Sequence, residues 1–399
     1  MRIRRGSLVV ALTIGIVAGF PHASTTAAQD DGVTLTLLHN GDGESSLLPL
    51  TNAVGEDMTL SVGGIAAFKS VTLRELADAR ALGHSVLDVY AGDAFLASAT
   101  LACNAPEDPG ISSLPADGIA QAQIPYDVHV FGNHEFDYGP DFLQRFIFGF
   151  VGETGVEQPF LSANLDFSAE PGWSGWIDED GIVETPVTDS RIVGRSAIVT
   201  DAETGERFGV VGATSPQLPV ISSPRDVAVT PDLATTAAAV QAEIDRLAEM
   251  GVDRIILVSH LQDLDDDTEL VAQLTGVDIA VAGGSDELLA NDPAELLPGD
   301  DPDAIKGTYP MVVTDAAGRD VQVVTTEGNY RYLGRLDVTF GPDGEIAEIL
   351  SETSGPRRVI PLEQEGDQIA ALGIEDAVES DAKMITTVVT GVTACLDAR

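Results

Sequence analysis

The chain has 399 residues, with 64 Asp and Glu against 21 Lys and Arg, a formal net charge of −43. That excess excludes a protein that grips a nucleic-acid backbone or an anionic membrane surface, since both need a basic footprint. With 44% hydrophobic residues the chain is not disordered, and its length suits one large or two medium domains. Only Lys69, Lys306 and Lys383 are lysines. A solvated acidic surface of this kind suits salty surroundings, where screening weakens self-repulsion, or a lineage whose proteins are simply acidic.

Residues 1–28 read as a signal peptide. Arg2, Arg4 and Arg5 form a positive start, 8–20 is an apolar run too short for a comfortable membrane span, and Thr26-Ala27-Ala28 is a cleavage site. The expectation is export to the periplasm or the extracellular space, with no integral membrane segment after cleavage. Cys103 and Cys395 lie far apart. A long-range disulfide is permitted in an exported protein, and spacing alone does not establish one.

Strand candidates at 34–38, 86–90, 128–131, 255–258 and 277–282 share one feature. Each runs straight into polar residues: His39-Asn40-Gly41-Asp42, Ala91-Gly92-Asp93, Gly132-Asn133-His134, Ser259-His260, and Gly283-Gly284-Ser285-Asp286. In α/β proteins, sites lie beyond the carboxyl ends of the strands. Helices are expected at 65–76 and 141–148. A third is expected after Thr230 as cap and Pro231 in the first position, with Val240, Ile244 and Leu247 at helical spacing until Gly251. Three strands at 309–313, 321–326 and 333–340 read as one local antiparallel unit. The acidic runs 263–267 and 300–303 read as solvated loops, with a calcium loop as the rarer alternative. Residues 353–375 read as a linker.

Hydrolysis of a phosphate ester needs charge neutralisation, an activated water and protonation of the leaving oxygen. Two metals sharing a bridging ligand supply the first two. Such a site requires carboxylates, imidazoles and amides converging from separate strand ends. Asp42, Glu44, Asp93, Asn133, His134, His260 and Asp286 are placed to do so, and the chain has only six histidines.

The string GNHEFDYG at 132–139 resembles the signature of the calcineurin-like metallophosphoesterases, and more narrowly the amino-terminal domain of secreted 5′-nucleotidases. Supporting blocks are LLHNGDGE at 37–44, AGDAF at 91–95, PFLSANLDF at 159–167, ILVSHLQ at 256–262, VDIAVAGGSD at 277–286 and TEGNYRYLGRLDVTF at 326–340. The resemblance implies an α/β fold, a four-layer αββα sandwich of two mixed sheets flanked by helices. It implies two divalent metal ions, with Asp42 on the first, Asp93 bridging, and Asn133 and His260 on the second. His134 would be the catalytic imidazole and Asp137 would orient it. The implied function is that of an exported, metal-dependent phosphomonoesterase acting on small phosphate esters or nucleotides. A catalytically weak or inactive metal-binding protein on the same fold is the alternative. The catalytic domain would span 29–350, followed by a linker and helical segment at 351–399. The nucleotide-binding carboxyl-terminal domain of the family is expected to be absent.

Three positions depart from the family. Its Asp-x-His is Asp42-Gly43-Glu44 here, and its Gly-His-x-His is Gly283-Gly284-Ser285-Asp286. The first site becomes all oxygen, from Asp42, Glu44, Asp93 and Asp286, which suits a hard ion: calcium, magnesium or manganese. The second keeps Asp93, Asn133 and His260, for manganese, magnesium, iron or zinc. Its gap at 284 is left to Glu287, water or substrate.

Overall fold

Val33–Asn40 alternates its side chains between two apolar environments: Leu35 and Leu37 face one buried cluster and Leu38 the other. Ser85–Tyr90 beside it does the same, with Leu87 and Val89 on one side and Val86 and Tyr90 on the other. A strand buried on both faces is a strand inside a layered sandwich. The computed structural model describes residues 32–399 apart from 57, 105–114, 155–157, 189 and 363–365. The signal peptide expected at 1–28 lies outside the described residues.

Two mixed sheets are present among the described residues. The first runs Ile346–Ile349, Tyr332–Phe340, Val33–Asn40, Ser85–Tyr90, Val128–Val130, Phe160–Leu161, Val193–Gly194, with Gly355–Arg358 also paired to Tyr332–Phe340. The second runs Met311–Thr314, Asp320–Val324, Ile279–Gly283, Ile255–His260, Arg207–Thr214, Ser196–Thr200, Ile182–Glu184. Leu35, Leu37 and Val89 of the first share a core with Val210, Ile256 and Val281 of the second. Helices Leu233–Glu249 and Leu264–Gln273 contribute Val240, Ile244, Leu270 and Val271 to that cluster. On the other face of the first sheet, Ile65–Ala81 and Pro140–Thr154 bury Phe68, Val71, Leu143 and Phe146. The αββα expectation holds.

Several local expectations are corrected. The three strands of 308–348 are not one unit. Met311–Thr314 and Asp320–Val324 form a hairpin, and Asp320–Val324 joins the second sheet parallel to Ile279–Gly283. Tyr332–Phe340 crosses to the first sheet and pairs antiparallel with Val33–Asn40. Helix Leu233–Glu249 is capped by Asp232, not Thr230: the Asp232 carboxylate accepts the Thr235 amide at 2.8 Å, a bond available only from that position. The run at 263–267 is no loop. Asp263 caps helix Leu264–Gln273, whose acidic first turn suits the helix dipole, and Asp267 is buried against Ser259 at 2.5 Å.

Residues near the carboxyl terminus pack on the first sheet's outer layer. Val388 and Val392 join the cluster around Phe68, Lys69 pairs with Asp381 at 3.0 Å, and Cys103 is disulfide-bonded to Cys395. No helix among the described residues is long and apolar enough to cross a membrane.

Candidate metal centre

Three parallel strands of the first sheet and two of the second end at one rim. Crossing hydrogen bonds tie their following loops together. Asp42 N–H donates to Gly92 O at 2.8 Å and Glu44 N–H to Asp93 O at 3.0 Å. Gly284 N–H donates to Asp42 Oδ2 at 3.1 Å, linking one sheet's loop to the other's. The backbone is unusual here: Asp42, Glu44, Asp93, Gln262 and Asp286 all have positive φ, between 49° and 78°. Non-glycine residues adopt this conformation at a cost, and such positions gather at functional sites. Gly132 is required by close approach, since a Cβ there would lie 2.2 Å from Asp93 Oδ1.

Asp42, Asp93 and His260 are buried, and each offers a ligand atom within 4.8 Å of the others. His260 Nδ1 lies 2.6 Å from Ala91 O, which fixes that nitrogen as the donor and turns Nε2 inward. There Nε2 meets Asp93 Oδ2 at 2.9 Å and Asn133 Oδ1 at 3.2 Å. Burial raises the Asp42 carboxyl to about 8, with Asp93 and Asp286 adding to the rise and His260 opposing it. For His260 burial works downward, but Asp93 and Asp42 outweigh it and lift the imidazole to about 10. Crowded buried carboxylates beside an inward-facing imidazole nitrogen form a donor set that a divalent cation stabilises, displacing the imidazole proton on binding.

Glu44 and Asp286 stand at the edge of this cluster. Burial and the charges of Asp286 and Asp93 push Glu44 up to about 7. Asp286 is held by the Gly328 amide. Beside it opens a cavity of about 580 Å3 whose wall includes Asn52, Glu287, Asp300, Lys306, Glu327 and Arg331. Glu287, one candidate for the gap at 284, has its carboxylate paired with Lys306 at 3.0 Å.

His134 and Asp137 are brought together as expected. His134 Nδ1 lies 2.6 Å from Asp137 Oδ2, and Asp137 Oδ1 in turn accepts the Ser222 hydroxyl at 2.8 Å. His134 Nε2 is 3.9 Å from Asp93 Oδ2, so the imidazole looks into the cluster. Burial would lower its pKa, but the bond to Asp137 and the charge of Asp93 raise it to about 9. By contrast His39, from the first strand-end string, is a core residue. Its Nε2 lies 2.7 Å from the Tyr309 hydroxyl, and burial holds it neutral at about 3.

Sequence reasoning missed three residues. Glu135 lies inside the motif at 132–139, yet its carboxylate accepts the amides of Asp93, Ala94 and Gly132 at 2.7–2.9 Å. Ser222 gave no signal. Gln262 donates to Asn133 Oδ1 at 2.6 Å and lies 3.0 Å from His260 Nε2. Its sequence signal was its place at the end of the block at 256–262, a polar side chain two residues beyond a candidate ligand.

The chain matches no family model. It is 29% identical over 343 residues to a 5′-nucleotidase of Diplobatis ommata, a match covering 85% of this chain and 49% of that protein. A 5′-nucleotidase precursor from Thermus thermophilus superposes with a TM-score of 0.69 at 26% identity, covering 91% of this chain and 59% of that one. A calcineurin-like phosphoesterase from Bacillus subtilis superposes with a TM-score of 0.58 at 17% identity, covering 92% of this chain and 99% of the other. The chain thus spans about half the length of the curated relatives it matches first.

Proposed function

We propose that this chain, which has the calcineurin-like metallophosphoesterase fold and is related to the catalytic domains of 5′-nucleotidases, is an exported phosphomonoesterase that works with two divalent cations. The observation that carries the reading is the convergence of Asp42, Asp93 and His260, with the His134–Asp137 pair turned toward them. Asp42, Glu44, Asp93 and Asp286 would hold a hard ion. Asp93, Asn133 and His260 would hold manganese, magnesium, iron or zinc. Bound cations supply charge neutralisation at the phosphate and acidify water.

The side chains divide the remaining work. Asp137 fixes His134 Nδ1 and aims Nε2 at the centre, where it can stabilise the developing charge or protonate the leaving oxygen. The leaving group would point into the cavity beside Asp286. That cavity is lined by six carboxylates (Asp286, Glu287, Asp300, Asp301, Asp303 and Glu327) against Lys306 and Arg331. Such a wall favours small monoesters over polyphosphates. The catalytic unit would extend past residue 350, since Gly355–Arg358 pairs within the first sheet, and nucleotides would be one substrate class among several.

The missing side chain at 284 favours one second reading, a metal-binding protein that hydrolyses weakly or not at all. One assay separates them: phosphate release from several simple esters, with magnesium, manganese, calcium and zinc added in turn. Release with at least one ion supports the enzyme. Metal binding without release from any ester supports the second reading.

A further inference from the structure

The second metal position lacks a side chain at 284, and the structure places another there. Gly284 has φ +86°, and a Cβ built on it would lie 2.7 Å from Gln262 Nε2 and 2.7 Å from His260 Nε2. The space into which a residue at 284 would project is therefore the space that the Gln262 amide fills. Gln262 arrives there by an unusual backbone route: it follows strand Ile255–His260 with φ +78°, left-handed and costly for a residue with a side chain. That turn folds the amide back over His260 and Asn133, to which it is hydrogen-bonded.

A glutamine amide carries an oxygen and a nitrogen on nearly identical frames, and a half-turn about its last bond exchanges them. With nitrogen inward, the amide donates to Asn133 Oδ1. With oxygen inward, it faces the same point as Asn133 Oδ1, His260 Nε2 and Asp93 Oδ2. We infer that Gln262 is a ligand of the metal position beside His260, replacing the donor absent at 284. The donor set is then two carbonyl-type oxygens, one carboxylate and one imidazole. That mixture suits manganese or magnesium better than zinc. The inference rests on the reading of this site as a metal centre.

The test is manganese binding to the full chain, measured by titration calorimetry and by the electron paramagnetic resonance of bound Mn2+. Wild type is compared with Gln262→Ala and the isosteric Gln262→Glu. Gln262→Ala should weaken one of the two manganese equivalents by at least about tenfold and leave the other unchanged. Gln262→Glu should retain or tighten that equivalent, which keeps the test decisive if the alanine variant folds poorly. Wild-type affinity in Gln262→Ala, or tighter binding, overturns the inference alone, tighter binding meaning that the amide excludes an ion. A wild-type chain that binds no manganese overturns the metal-centre reading and the inference with it.

Discussion

Glu135 and Asp93 are joined through the backbone: the Glu135 carboxylate accepts the Asp93 amide at 2.9 Å, although the residues sit 42 positions apart. The same carboxylate takes the Ala94 and Gly132 amides. Two loops from adjacent strands are thereby fixed around the residue that would bridge the metals.

Three donors on two oxygens need a carboxylate. In Glu135→Gln one oxygen is replaced by an amide nitrogen facing an N–H, leaving a buried donor without a partner at about 1–3 kcal/mol. Loosening Asp93 should also weaken manganese binding roughly 10- to 100-fold. Calorimetric titration with thermal unfolding checks both. Reduced stability with unchanged affinity would make Glu135 merely structural.

His134→Asn should lower turnover by about two to four orders of magnitude, the usual loss for a general acid or electrostatic group. Metal content should stay level, because no ligand is removed. Steady-state kinetics beside elemental analysis reads the pair. Near-normal turnover would remove His134 from the chemistry.

Asp93→Asn should reduce occupancy at both metal positions, since one carboxylate would serve two ions. Elemental analysis of the folded variant decides it, and full loading of two ions would mean that Asp93 is no bridge.

The carboxylates at 44 and 286 should set the metal. Native protein is expected to carry a hard ion. Glu44→His together with Asp286→His should move preference toward zinc, which gains from nitrogen ligands. Competition between zinc and magnesium, followed by elemental analysis, reads the shift. An unchanged preference would mean that the acidic substitutions do not tune the site.

Away from the site, acid should weaken the protein through Glu75. Its carboxylate is buried against Arg335 at 3.0 Å and Arg357 at 3.1 Å. Burial works to raise its pKa, but Arg357, Arg335 and Arg74 outweigh it and hold the group below its ordinary value. A depressed folded pKa gives stability that is present above the unfolded value near ~4.3 and is lost as pH falls through the folded value. Glu75→Gln should cost roughly 3 kcal/mol at pH 7 by leaving buried arginine charge short of a partner. The gap to wild type should close as pH drops below about 4. Urea unfolding at pH 7, 5, 4 and 3 measures it, and a constant gap would contradict the linkage.

The strand ends were legible in the residues alone. Apolar runs that stop at Asp42, Asp93, Asn133, His260 and Asp286 are local facts, whereas the pairing of His134 with Asp137 came from the resemblance of the string at 132–139 to a known signature. Tertiary structure decided the rest. Tyr332–Phe340 left its neighbours for the first sheet because strand pairing is a contest among distant partners, which a local pattern of alternating residues does not rank. Asp267 went into the core and Glu287 to Lys306, though both read as acidic surface or ligand. The hydrogen bonds of Glu135 and the backward turn of Gln262 depend on loop conformations set by contacts between two sheets. A sequence specifies which donors are available. Only the packed loops, with φ forced positive at 42, 93 and 262, determine which of them meet.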